Sequence, residues 1–317
     1  MGAYSSIGAS STSTSTAVKI GALAGVAGST VNGGTYTIGG NNKDAVFNGV
    51  INAGATITKT GTGSWTLTGA NTTTSPFTIS GGKVIVSNAS GSATGTGNVT
   101  VGNSAVLTGT GIITGSVTMG NGSNLTIGNG SMGTLTLSSN LILQTGSKTT
   151  FKVSGSTNDK LNVGATMILK GTLEMINQGV AYQSGNSYTI FTAATSTGMF
   201  DAVSPATPGQ GLKWNTSLIN SGIISVDIAD GIEDVEGSTI RVYPSLINDF
   251  CMVSIGGLSG EVKVELIREV GQVISSRITS STSQSYKVEM SGMTPGMYFV
   301  KITNSNGRSF LRKVIKL

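Results

Sequence analysis

The sequence predicts an all-β protein built as a stacked β-solenoid followed by a small antiparallel β-sandwich. Three observations carry that prediction. Apolar residues recur in pairs two positions apart, as in Val99/Val101, Val117/Met119, Leu125/Ile127, Leu141/Leu143 and Met167/Leu169. Glycine makes up 47 of 317 residues and charged residues only 10%, yet apolar residues still reach 38%. The composition then changes near residue 240, beyond which all the arginines lie.

A pair two apart places both side chains on one face of a short extended segment. Gly and Asn between the pairs supply the corners. About three such strands make a coil of ~20–25 residues, so roughly nine to eleven coils fit in residues 18–228. Inward Val, Leu and Ile then form one continuous column. Low charge together with ample apolar content is not the signature of a disordered chain.

Residues 1–17 form a Ser/Thr-rich, low-complexity end. Residues 18–228 carry the solenoid pattern. Its last part is richer in aromatics (Tyr182, Tyr188, Phe191, Phe200, Trp214), which suit a cap and core first and a sugar-stacking platform second. Residues 229–239 concentrate acids (Asp230, Glu233, Asp234 and Glu236, next to Asp227) and read as a linker. Residues 240–317 alternate with period two. Val262, Val264 and Leu266 face one way and Lys263, Glu265 and Ile267 the other, with turns at Gly271-Gln272, Pro295-Gly296 and Asn304 to Gly307. About seven short strands in this length make a sandwich.

Charge narrows the function. Residues 1–239 hold nine Lys and nine acids, whereas residues 240–317 hold ten Lys plus Arg against five acids. The net charge of +5 therefore belongs to the C-terminal part, and no cluster of basic and aromatic residues marks a nucleic-acid surface. The absence of histidine removes imidazole catalysis and ligation, and a single cysteine, Cys251, allows no intrachain disulfide. No cofactor or metal site is expected. A glycosidase or lyase needs paired carboxylates, or acidic ligands beside Lys or Arg. Residues 1–226 offer only Asp44, Asp159, Glu174 and Asp201, without an arginine. No apolar stretch approaches the ~20 residues of a membrane-spanning helix. Met1 leads into Ser/Thr-rich sequence with no basic start and no long apolar core, so a secretion signal is expected to have been removed from this chain.

Two stretches resemble known families. Ile57 to Leu107 contains Lys59, Gly61 and Gly63, then Trp65 and Leu67, then Gly69-Ala70-Asn71, then Gly81-Gly82 before Val84 and Val86. This resembles the passenger-associated repeat of autotransporter-type proteins, which implies a right-handed parallel β-helix. Residues 146–228 resemble the end of such passengers. The second stretch is Tyr243-Pro244-Ser245, a strand, Gly271-Gln272-Val273, Gly292 to Ile302 with Pro295, Gly296, Tyr298 and Lys301, and a basic end containing Arg312, Lys313 and Lys316. It resembles the C-terminal sorting domain of type IX secretion substrates in Bacteroidetes, although Ser245-Leu246 stands where that family usually shows Asn-Pro.

The second resemblance implies that those eleven residues (Tyr243, Pro244, Gly271, Gly292, Pro295, Gly296, Tyr298, Lys301, Arg312, Lys313 and Lys316) belong to a sorting signal. It implies the type IX machinery and a sortase-like protease as partners, attachment to a surface lipopolysaccharide, and an extracellular or outer-membrane-surface location. For the solenoid the expectation is a structural or adhesin-like surface protein. A polysaccharide-binding or polysaccharide-degrading protein, and a self-assembling filament or layer subunit, are the alternatives.

Overall fold

The structure is a computed structural model that describes residues 6–7, 17–229, 240–255, 260–280, 285–305, 307 and 309–317. The acidic positions 230–236 and most of the Ser/Thr-rich end lie outside the described residues. The chain divides into two units, Met1–Ile228 and Ala229–Leu317.

The first unit is a parallel β-solenoid with three faces. One face stacks Val18–Ile20, Gly34–Ile38, Ala55–Lys59, Phe77–Ile79, Val99–Val101, Val117–Met119 and Leu141–Leu143, then the second halves of Lys160–Leu169 and Phe191–Gly198. A second face runs from Ala45–Phe47 through Ser64–Leu67, Lys83–Val86, Val106–Gly109, Asn124–Ile127, Lys148–Ser154 and Thr172–Asn177 to Ala202–Ser204. The third begins with Ser6–Ile7, Thr30–Val31 and Val50–Ile51. It resumes at Ile112–Ile113 and Thr134–Leu137, and ends on the first halves of the two long strands. Register partners lie 18 residues apart at Val106↔Asn124 but 30 apart at Thr172↔Ala202, a wider range than the apolar periodicity suggests. The corner loops absorb the difference, so the ladders continue.

In the middle of the third face, side chains replace strand backbone. Asn71 is buried, and its Oδ1 accepts the Ile51 N–H at 2.7 Å while its Nδ2 donates to the Ala93 carbonyl of the next coil. The Asn amide thus stands in for a peptide unit between two coils. Ser92 Oγ accepts the Thr114 N–H at 3.0 Å. Backbone bonds flank both, from Thr72 N to Ile51 O and from Ala93 N to Ile112 O.

The core is one continuous column. Trp65 lies between Phe47 and Phe77, with ring centroids 6.3 and 6.1 Å away, and its indole N–H reaches the Leu23 carbonyl at 2.9 Å. At a corner, Gly61 has φ +67°, and a Cβ there would lie 2.0 Å from the Gly39 carbonyl oxygen. Only glycine lets these coils approach so closely. The C-terminal coil ends under a small antiparallel sheet of Ser187–Thr189, Ile223–Ile228 and Leu212–Asn215. The Gly222 carbonyl accepts the Ile190 N–H at 2.9 Å, and Tyr182 packs edge-on against Trp214 with centroids 4.9 Å apart. A parallel edge is thereby covered by antiparallel strands and aromatic rings, a standard defence against edge-to-edge pairing.

The second unit is a sandwich. Ile240–Tyr243, Phe250–Ile255 and Ser285–Glu289 form a three-stranded antiparallel sheet, with Phe250–Ile255 in the centre. The other sheet has five strands in the order Leu246–Ile247, Ser309–Lys316, Gly296–Asn304, Glu261–Arg268, Val273–Ser280. Their inner faces bury Cys251, Val253, Val264, Leu266, Val300 and Val314 among others.

Asn71→Ala leaves a buried N–H and a buried carbonyl without partners. The expected cost is about 1–3 kcal/mol for each group, read as a lower midpoint in chemical denaturation. Leu135 is fully buried; Leu135→Asp is expected to cost more, on the order of 3–5 kcal/mol, because it buries an unpaired charge.

Candidate functional site

The five acids of the solenoid are each engaged with neighbouring chain, Asp227 by accepting from Asn215 Nδ2 at 2.8 Å. Asp44 accepts the Ser64 N–H at 2.7 Å. Glu174 pairs with Lys148 at 3.1 Å and accepts from Thr150 Oγ1 at 2.7 Å. Asp201 pairs with Lys170 at 3.3 Å and accepts the Gly171 N–H at 2.9 Å. Asp159 is fully buried. It accepts the backbone N–H groups of Gly133 (2.8 Å) and Lys152 (2.7 Å), and its Oδ2 lies 2.8 Å from the Lys152 ammonium. That ammonium also donates to the Ile127 carbonyl. The pair fastens the excursion Gly128–Gly133 to the coil wall. Among the described residues no group of three or more Cys, Asp or Glu side chains is placed to hold a metal.

Lys59 is a buried cation at the first repeat's corner. Its ammonium donates to the carbonyls of Thr60 (2.6 Å), Gly81 (3.3 Å) and Gly61 (3.5 Å). Burial pushes its pKa down, and the Asp44 charge partly offsets this. The carbonyls of two successive corners converge on one charge, which gives a physical reason for lysine followed by closely spaced glycines at this place. The aromatics at the solenoid's end serve mostly as cap: Tyr182, Tyr188 and Phe191 are buried, and Phe200 and Trp214 are half-buried.

In the sandwich, the pairing register brings several of the eleven sequence-selected residues to one end of the five-stranded sheet. Gly296 pairs with Lys316, so Pro295 and Lys316 lie at that end, and Leu246 pairs with Ile315 on the other side of the C-terminal strand. The turn containing Gly271 follows Arg268, which pairs with Tyr298 near that same end. Gly292 occupies the turn closed by Met293 N to Met290 O at 3.2 Å. Tyr243 is half exposed at the end of its strand.

The others do not form one surface. Tyr298 is buried, and its hydroxyl donates to the Thr294 carbonyl at 2.7 Å. Lys301 lies on the outer face, opposite Glu265 in the register, and Lys313 lies beside Phe299 on that face. Glu265 itself is held by Lys263 at 2.6 Å. Arg312 takes the inner row with Phe310 and Val314, and its guanidinium reaches the Ile240 carbonyl of the other sheet at 3.3 Å. The basic end is therefore divided between two faces. Sequence reading passed over Leu246–Ile247, whose parallel pairing with the C-terminal strand is closed by Ile315 N to Ser245 O (2.8 Å) and Leu317 N to Ile247 O (2.9 Å). A two-residue strand has no periodicity to betray it.

Residues 241–317 match the Secretion system C-terminal sorting domain family. Residues 57–86 match the Passenger-associated-transport-repeat, across the corner that Lys59 fills and the strand that holds Trp65. Neither matched family is a catalytic one. The sorting domain marks the chain for export to the cell surface or the extracellular space, and the type IX machinery is its partner in that step. No curated protein sequence matches the chain. Among solved structures the chain is similar to the chitinase ChiW of Paenibacillus sp. str. FPU-7, described as a multi-modular enzyme machinery expressed on the bacterial cell surface. The identity is 12%, the TM-score is 0.24, and the match covers 90% of this chain and 24% of the chitinase. A likeness that distant carries no argument about activity.

Cys251, the single thiol, is fully buried in the sandwich, and burial raises its pKa from 9.0 to about 11. A raised folded-state pKa gives stability that is complete below pH 9 and lost as pH rises toward 11. Cys251→Val is expected to flatten that part of the alkaline stability profile. In the wild-type chain, labelling by a thiol reagent at pH 8 should report only opening of the sandwich.

Proposed function

We propose that this chain is a surface protein whose solenoid is the working part and whose sandwich is its address. The observation that carries the reading is the division of labour between the units. The first holds an uninterrupted solenoid whose acids are occupied in holding coils together. The second carries the sorting-domain match. A structural or adhesive role fits a protein whose ionic groups are spent on architecture. The dispersed, engaged acids favour that role over polysaccharide cleavage.

The eleven sequence-selected residues act as the sorting signal in two ways on this reading. Tyr298, Arg312 and the turn residues Gly271, Gly292 and Gly296 shape the sandwich. Lys301 and Lys313 are exposed enough to meet a receptor. A sortase-like protease cuts in the acidic segment 229–239, and a surface lipopolysaccharide receives the new end.

Removal of Gly292 to Leu317 alone would strip out the central strand Gly296–Asn304 and its neighbour, and so would confuse misfolding with loss of address. A stop after residue 239 removes the whole sandwich. In a type IX-competent host that truncation is expected to stay in the periplasm, with a solenoid that melts as in the full chain. Its normal arrival at the surface would overturn the address. The intact mass of the surface-recovered full-length product is expected to correspond to a chain ending within 227–242; a chain ending at Leu317 would overturn the processing step.

A further inference from the structure

The sandwich is one strand short on one side. Arg312, in the strand Ser309–Lys316, reaches the Ile240 carbonyl, which sets that strand across from Ile240–Tyr243. Counting along both sheets from there, Gly296–Asn304 faces Phe250–Ile255 and Glu261–Arg268 faces Ser285–Glu289. The three-stranded sheet then ends, whereas the five-stranded sheet continues to Val273–Ser280. Among the described residues, no strand stands across from that last one. A cleft of about 630 Å³ occupies the place, with Val264 and Leu266 in its floor.

Three features mark the cleft. The first is a free polar edge. The bond from Met290 N to Asp249 O sets the phase of the pairing, so Tyr286 and Val288 turn their peptide groups toward Phe250–Ile255. The peptide groups of Ser285, Lys287 and Glu289 therefore face the open side. The second is that this edge lacks the usual protection against pairing. The strand has no proline and its register no bulge. Its charges lie on the outer face, where Lys287 pairs with Glu289 at 2.6 Å and sits 4.2 Å from the Phe250 ring centroid. The third is Arg277. It is the register partner of inward Val264, as Ser275 is of Leu266, so both point into the cleft. The guanidinium rests 5.2 Å from the Tyr286 ring centroid and, among the described residues, makes no ion pair.

Free N–H and C=O groups that recur about every 6.8 Å along an edge match one ligand class, another extended chain. A sugar or a small anion would answer Arg277 and leave that row of peptide groups unmatched. An added strand answers both. Its side chains alternate, so every second one enters the cleft. The one beside Tyr286 meets Arg277, where a carboxylate makes a charge-assisted bond. The one beside Val288 meets Ser275 and Leu266, where a small apolar side chain fits. A second copy pairing through the same edge would bring Tyr286 and Val288 inward and no carboxylate, since its Glu289 is on the outer row.

We propose that the free edge of Ser285–Glu289 accepts an added strand from a partner protein, and that Arg277 selects an acidic side chain in that strand. The proposal is independent of the export reading, because it concerns only the open side of the sandwich and is tested on purified protein.

The test uses the full-length chain and short capped synthetic peptides that alternate Thr with an inward Val or Asp, in both orders. Peptides with Asn or Lys in place of Asp serve as comparisons. Saturable binding of an Asp peptide is expected, with slowed hydrogen exchange across residues 285–289. Asn in place of Asp, or Arg277→Gln in the chain, should weaken binding by about tenfold or more. Arg277→Glu should lose the Asp peptide and take the Lys peptide. Lys287→Pro, which removes one edge N–H, should lose the binding that Lys287→Ala retains. Arg277 is exposed, so its variants keep the test decisive even where Lys287→Pro lowers the melting temperature. Three results would overturn the proposal: no saturable binding of any peptide, binding indifferent to the charge at Arg277, or self-association in sedimentation that Lys287→Pro abolishes while the peptides stay unbound.

Discussion

Everything in the first unit depends on the coil-to-coil hydrogen-bond ladder. In a parallel solenoid each strand has its partners one coil above and below, so a strand gains most of its backbone bonds only when its neighbours are in place. The ladder tolerates coils of unequal length because corner loops take up the excess. It does not tolerate a gap, since an unpaired buried peptide group costs as much as a lost bond. The chain answers this constraint on the third face, where Asn71 and Ser92 supply side-chain acceptors to the N–H groups of Ile51 and Thr114.

The same constraint accounts for the few charges that the solenoid buries. Lys59 is held by carbonyls of two corners and Asp159 by two N–H groups and Lys152. Each solves a local shortage of partners where the chain leaves the regular ladder. A residue that looks catalytic by type can thus be fully occupied by architecture. Asp159 is the clearest case, since burial, two backbone donors and an ion pair leave it no approach to a substrate.

The sandwich obeys a different rule. Its C-terminal strand is not an edge: it lies between Gly296–Asn304 and Leu246–Ile247 and is bonded on both sides. The residues nearest the chain's end are therefore integral to the sheet. Arg312 adds a link across the sandwich to the Ile240 carbonyl. A basic end that is contiguous in the sequence is divided, once folded, between the inward Arg312 and the outward Lys313, with Lys316 opposite Gly296 at the strand's end.

The all-β class, the stacked coils and the sandwich were legible in the sequence because alternation is a local property. Leu135/Leu137 or Val262/Val264 declares an inward face whatever the strand later pairs with. The turn glycines and the Trp65 strand were legible for the same reason. What the sequence by itself could not determine is partner identity. That Asn71 bridges Ile51 to Ala93, that Lys160–Leu169 bends to serve two faces, and that Leu246–Ile247 clasps the terminus depend on register between segments distant in the chain. Register is fixed by how many residues each corner consumes, and only the folded stack decides that.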